Sequence, residues 1–126
     1  MMNSTNFSNI GLLILRVGFS GMMLTHGIPK LLKMFSGDFS FGNPIGIGET
    51  ATLVLAVLCE VFFPILVLIG FKTRLAAIPV IITMAVAAFI VHGADPLGTK
   101  EMALLYLMAF SAIALLGAGK YAVDRK

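Results

Sequence analysis

Arg16-Val17-Gly18-Phe19-Ser20-Gly21-Met22-Met23-Leu24-Thr25-His26-Gly27-Ile28-Pro29-Lys30 is the stretch on which the fold turns. It is apolar enough to enter a bilayer, yet it carries a fixed cation, a titratable imidazole and an amine. A charge at the bilayer centre costs about 2.5–3.5 kcal/mol on insertion scales unless water, a partner or the interface takes it up. Glu60 is the only acid inside the next apolar segment. The sequence therefore predicts that Arg16 and Glu60 are brought together.

A membrane-crossing helix needs about 20 largely apolar residues. Four segments meet that requirement, at about 10–35, 50–71, 75–92 and 101–118. The connectors at 72–74 and 93–98 are too short to do more than reverse the chain, so successive helices are antiparallel neighbours. The predicted fold class is all-α, an integral membrane four-helix up-down bundle forming one domain over residues 1–126. Within the first span, Gly11, Gly18, Gly21 and Thr25 are spaced for close approach of helix backbones. Pro29 and Pro64 remove the donors that would meet the carbonyls of Thr25 and Glu60, which predicts a bend or loosening beside the ionisable groups.

Composition agrees with a fold in lipid. Apolar residues make up 59% of the chain and the mean hydropathy is +1.01, against about 45–50% apolar content in soluble domains. With 12% charged residues the chain has too little polar surface to cover itself in water. The net charge of +3 does not indicate a nucleic-acid partner, because the basic residues stand singly at segment ends. A single cysteine, Cys59, excludes a disulfide framework, a Cys-x-x-Cys redox motif and a thiolate metal cluster within the chain. The start of the chain, with no basic residue before Arg16, reads as a retained anchor and not as a cleaved signal. Lys72, Arg74, Lys120, Arg125 and Lys126 fall on the side of the termini, and Lys30, Lys33 and Lys100 on the other. That bias predicts cytoplasmic termini.

The candidate chemistry lies in the ionisable groups. On a helix of 100° per residue, Arg16, His26 and Lys30 fall within an arc of about 80°. Glu60 is read either as half of a structural ion pair with Arg16 that fixes helix register, or as a proton acceptor and ligand anchor beside a permanent cation. His26 is either a core histidine bonded to a neighbouring carbonyl or to Glu60, or a proton relay. His92 and Glu101 are placed at the mouth of the bundle beside Lys30, closing a polar track from Glu60 past His26. Lys30 and Lys33 read as anchors that snorkel to the interface. Cys59 reads as an inert apolar residue, and no ligand spacing marks a metal site. Thr83 and Ala87, at small-xxx-small spacing, offer a face for a second copy, and a homo-oligomer is expected.

The order of these residues resembles the DoxX family of small four-helix membrane proteins. The resemblance is carried by Leu15-Arg16-Val17-Gly18, Thr25-His26-Gly27 with Lys30, Glu60, the turn Phe71-Lys72-Thr73-Arg74-Leu75-Ala76-Ala77, and Gly117-Ala118-Gly119-Lys120-Tyr121 with Asp124. It implies a bacterial cytoplasmic-membrane protein in a redox setting, since DoxX-like and DoxD-like proteins are associated with quinone-linked thiosulfate oxidation and with complexes that handle thiol or oxidative stress. Carried over by position, Arg16, His26, Lys30 and Glu60 are the expected ligand-binding residues, with His92 added from its place at the mouth and Glu60 and His26 the candidates for proton chemistry.

Three readings follow. The first is a redox-associated subunit that binds a quinone-like or other lipophilic ligand, or a lipid, between the first two helices, with electrons supplied by a redox partner protein. The second is a scaffold whose charged core is purely structural. The third is a small proton-coupled transporter, for which no inverted repeat is evident.

Overall fold

A computed structural model describes residues 4–124. Among them are four helices long and apolar enough to span a membrane: α1 (Ser4–Phe35), α2 (Glu49–Ile69), α3 (Thr73–Val91) and α4 (Leu97–Leu116). Each packs on its neighbours in sequence, and α4 closes the ring against α1. This is the up-down bundle that short connectors dictate. One end gathers the start of α1, the α2–α3 turn and residues 117–124. The other, the mouth, gathers the long loop 36–48 and the α3–α4 turn.

The distribution of polarity is the reverse of a soluble domain. Phe35, Leu75 and Leu115 are 74%, 65% and 80% exposed, while Arg16, Ser20, Glu60 and Thr73 are buried. Hydrocarbon solvates the outer side chains but offers nothing to a polar group, so those groups turn inward. The core between the helices is built from Met23, Val67, Ala76, Ala77, Val80, Met84, Tyr106, Phe110 and Ile113. Small residues on α3 draw it close to α4. Phe19 meets Tyr106 edge to face at 6.0 Å.

Both prolines were expected to loosen their helices, and α2 does so in a specific way. The segment Leu58–Phe62 is a π-helical turn, closed by the Phe63 N–H on the Leu58 carbonyl. Pro64 has no N–H for the Glu60 carbonyl, and the wider turn absorbs the mismatch. The backbone of Glu60 there faces Gly27 of α1. A Cβ at Gly27 would lie 2.7 Å from both the Glu60 carbonyl carbon and Val61 Cγ2, so only glycine permits this contact. α1, by contrast, runs through Pro29 without a break. α3 also ends in a π turn, Ala87–Val91.

The small residues of α1 correct one expectation. A Cβ placed on Gly11, Gly18 or Gly21 would meet nothing within 4 Å, and it is Gly27 that sets the helix approach. Gly27→Ala should force α1 from α2 and destabilise the bundle by about 1–3 kcal/mol, the usual cost of overpacking. Gly18→Ala should leave the melting temperature in detergent unchanged or slightly raised. Equal melting temperatures for the two variants would contradict the close contact.

The chain after α4 forms a strap across the α2–α3 turn. Gly70, in the left-handed region at φ 77°, ends α2, and its N–H donates to Leu66 O and Val67 O while the Phe71 N–H donates to Leu66 O. Arg16 Nη1 donates to Val67 O at 3.2 Å and to Leu68 O at 2.7 Å. The Val123 N–H donates to Ile69 O at 3.0 Å. Every carbonyl of the last turn of α2 is thereby satisfied, a requirement that water meets in soluble proteins. The same strap serves the start of α3, where Thr73 N–H donates to Asp124 Oδ2 at 3.1 Å. A carboxylate at that position also complements the helix dipole. Arg16 Nη2 donates to Tyr121 O, locking the strap to α1.

At the mouth, Asp38 accepts from the Ser40 hydroxyl at 2.6 Å and the Ser40 N–H at 3.0 Å. These bonds hold its carboxyl below the usual carboxylate range.

Candidate functional site

Arg16 and Glu60 do not pair. Arg16 is 1% exposed and spends its guanidinium on the carbonyls of Val67, Leu68 and Tyr121. The reason is register. In antiparallel helices, moving along α1 from Arg16 to Gly27 means moving back along α2 from Val67 to Glu60, so Glu60 lies level with Gly27 and the turn that follows it. Its partner is Lys30, whose Nζ sits 2.7 Å from Oε1 and 2.6 Å from Oε2. Glu60 is 4% exposed.

Lys30 is therefore more than an interfacial anchor. Its ammonium also lies 5.6 Å from the centre of the Phe41 ring, and Lys33 lies 5.7 Å from the same ring. A cation over an aromatic face is stabilised by the ring quadrupole. Phe41 thus brings the loop 36–48 down over the Lys30–Glu60 pair.

Two cavities meet at this pair. The first, about 480 Å³, is a largely apolar groove between α2 and α3 under the loop, lined by Ile45, Leu55, Cys59, Ile82, Thr83 and Ala87 among others. The second, about 260 Å³, is an open cleft between α1, α3 and α4, lined by the exposed His26 and Met102 and the buried Tyr106 among others. Lys30, Glu60, Met84, Ala87 and His92 line both.

Of the residues singled out from sequence, the structure brings together His26, Lys30, Glu60 and His92 around this space and places Arg16 away from it. His26 meets the Tyr106 ring edge to face at 5.7 Å. His92 Nδ1 lies 2.9 Å from Asp95 Oδ2, which orients the ring at the mouth. Glu101 stands exposed and is not among the lining residues. The groove lies between α2 and α3, whereas the expected position was between the first two helices, which the Gly27 contact holds shut. Thr83 and Ala87, expected on an outer face toward a second copy, line the groove instead. Among the described residues no group of three His, Cys, Asp or Glu stands close enough to hold a metal ion. Tyr106 was missed in the sequence, although it is the one tyrosine within a span. Phe41 was missed because nothing in a loop sequence reveals which ring folds back over a lysine.

Four spanning helices around a buried ion pair and a cavity open at the side define a multi-pass membrane protein of the small helical-bundle type. The chain belongs to the DoxX family, whose model matches residues 11–93, from the first turns of α1 to the residue after His92. It is 31% identical over 137 residues to an uncharacterized protein of Haemophilus influenzae, an alignment that covers 100% of this chain and 97% of the relative. No solved structure matches it. The matched residues include Arg16, His26, Lys30, Glu60 and His92. The strap, expected to be part of the resemblance, lies beyond the matched region.

Proposed function

We propose that the protein takes a quinone-like or similarly lipophilic molecule from the bilayer into the groove between α2 and α3. The observation that carries this reading is the groove itself: a cavity of about 480 Å³ with apolar walls and the Lys30–Glu60 pair and His92 at its polar end. Ligand sites of about 300–1,000 Å³ have this composition, apolar walls with a few convergent polar groups. Glu60 and His92 supply groups that exchange protons, which a ring carbonyl requires as it gains electrons. The chain has no cofactor motif, so a redox partner protein would supply the electrons and this chain would act as a binding subunit.

Cys59, alone in the chain and in the groove wall, is a built-in reporter. In lipid nanodiscs, decylubiquinone at about ten times its Kd should slow alkylation of Cys59 by N-ethylmaleimide about tenfold through occupancy alone. Ala87→Phe fills the junction and should make the rate indifferent to added quinone. Alkylation of the unaltered protein at the same rate with and without quinone would remove this reading.

We also infer a bacterial inner-membrane location with cytoplasmic termini. Lys30 is consumed by Glu60, so the mouth presents only Lys33 and Lys100, against Lys72, Arg74 and Lys120 at the strap end. The lysine and arginine bias supports that orientation. In a Cys59→Ser background, a cysteine introduced by Gly98→Cys should react with a membrane-impermeant maleimide in intact cells. One introduced by Lys120→Cys should react only after lysis, and the opposite pattern would invert the topology.

A further inference from the structure

The loop 36–48 is seated on the bundle through one ring. From Phe35 to Ile47 every residue is exposed except Phe41. The loop's hydrogen bonds run within itself or to the two helix ends it joins. The Asp38 N–H donates to Lys33 O at 3.1 Å, Lys33 Nζ donates to Ser40 O, and the Gly48 N–H donates to Asn43 Oδ1 at 2.8 Å. Among the described residues no hydrogen bond ties the loop to α3 or α4. Yet Pro44, Ile45 and Ile47 lie over the groove that α3 walls, together with Phe41. The backbone turns in the left-handed region at both ends of the loop, with φ 88° at Gly37 and 101° at Gly48.

What holds the loop down is therefore weak by design of its contacts. The Phe41 ring sits 5.6 Å from Lys30 Nζ and 5.7 Å from Lys33 Nζ. A cation over a ring shifts an equilibrium by about 2- to 30-fold, depending on how far the pair is desolvated. A segment with so few buried contacts opens at a small fraction of the free energy that unfolds the helices. Lys30 is shared between two partners. On one side it meets Glu60 at 2.6–2.7 Å, and on the other it meets the Phe41 ring. The seat of the loop and the state of the ion pair are thus coupled through one ammonium.

We propose that the loop 36–48 is a lid, latched by Phe41 across Lys30 and Lys33, that controls the access of water to the Lys30–Glu60 pair and the groove while the four helices stay in place. Closed, it shields the pair from the aqueous side. Open, it lets the pair and the groove wall meet water. A molecule that competes for Lys30 or Glu60 loosens the latch, and one that fills the groove beneath Ile45 and Ile47 favours the closed state, each by its differential affinity for the two states. The lid regulates the groove read above as a binding site, but its opening requires no ligand.

The test accordingly contains none. In nanodiscs, Cys59 is labelled with the charged sulfonatoethyl methanethiosulfonate, which arrives through water, and separately with N-ethylmaleimide, which also dissolves in the bilayer. Phe41→Ala removes the latch and should speed the charged reagent about fivefold or more, with N-ethylmaleimide changed by less than about twofold. Phe41→Trp keeps the latch, since tryptophan is the strongest ring for a cation, and should leave the charged reagent no faster than in the unaltered protein. The chain has no tryptophan of its own, so the fluorescence of this variant also reports the lid: adding Lys33→Met should make it more readily quenched by acrylamide. Lys33→Met alone lies outside the ion pair and carries the labelling test should Phe41→Ala not fold, with an expected acceleration of about twofold or more. An unchanged rate for the charged reagent in Phe41→Ala and Lys33→Met would overturn the lid. So would equal acceleration of both reagents, which means a loosened bundle, or a Phe41→Trp rate as fast as that of Phe41→Ala. The ligand reading fails separately, through loss of protection of Cys59 by decylubiquinone in the unaltered protein.

Discussion

Arg16→Met is expected to be the most damaging single substitution within the spans. It leaves the carbonyls of Leu68 and Tyr121 without their donor, at about 1–3 kcal/mol for each buried acceptor left unpaired. It also frees the strap, so the amide protons of Val123 and Asp124, bonded to Ile69 O and Gly70 O, should lose their protection from hydrogen exchange. Arg16→Lys should recover only part of the loss. An ammonium is a point charge without the planar fork that lets one guanidinium reach carbonyls on two segments. A melting temperature for Arg16→Met within about 3 °C of the wild type, equivalent to under about 1 kcal/mol, would contradict the role assigned to the guanidinium.

The second large effect is expected at the Lys30–Glu60 pair. Removing one partner of a buried ion pair costs about 3–5 kcal/mol because the other is left uncompensated, whereas replacing both with apolar residues is often neutral. Glu60→Met and Lys30→Met should each lower the melting temperature sharply, and the double variant should regain most of the loss. The Lys30 end is partly exposed, at 31% of its side chain, so Lys30→Met should be the worse of the two: it strands the buried carboxylate. The double variant also separates the binding subunit from the scaffold. A stable bundle in which decylubiquinone no longer shields Cys59 supports a site, and a stable bundle with undiminished shielding places the ligand's polar contacts elsewhere. Full additivity of the two single effects would deny that the side chains interact at all.

The parts of this structure that were legible in the sequence are those decided by composition along one dimension. Four spans, their antiparallel order and their approximate limits follow from runs of apolar residues and short connectors. α4 starts at Leu97, ahead of the expected 101, because Pro96 takes an extended conformation and serves as its N-cap. Lys100 fell outside the expected span because it is charged, yet a helix end at the interface accommodates it.

The pairing of charges was not legible in the same way. Reading Arg16 against Glu60 matched opposite signs and similar depth but ignored register, which was fixed by one glycine contact that no charge pattern reveals. Lys30 looked like an anchor because lysines near span ends usually are. The carbonyls that satisfy Arg16 are invisible to any search for acidic partners. Tyr106 is apolar in most of its body, and its significance depends on a cavity formed by three other helices. The wide turn at Leu58–Phe62 was half anticipated: Pro64 announced a defect, and only the fold shows that the defect takes the form of a π turn facing Gly27.

The strap has a further consequence for how the molecule is made. Arg16 and Tyr121 are separated by 105 positions in the chain, so a ribosome delivers the cation to the membrane long before it delivers the oxygen that finishes its coordination. During that interval the guanidinium has to be sheltered by water or lipid phosphate at the edge of the insertion machinery. Closure of the bundle then waits on the arrival of the strap.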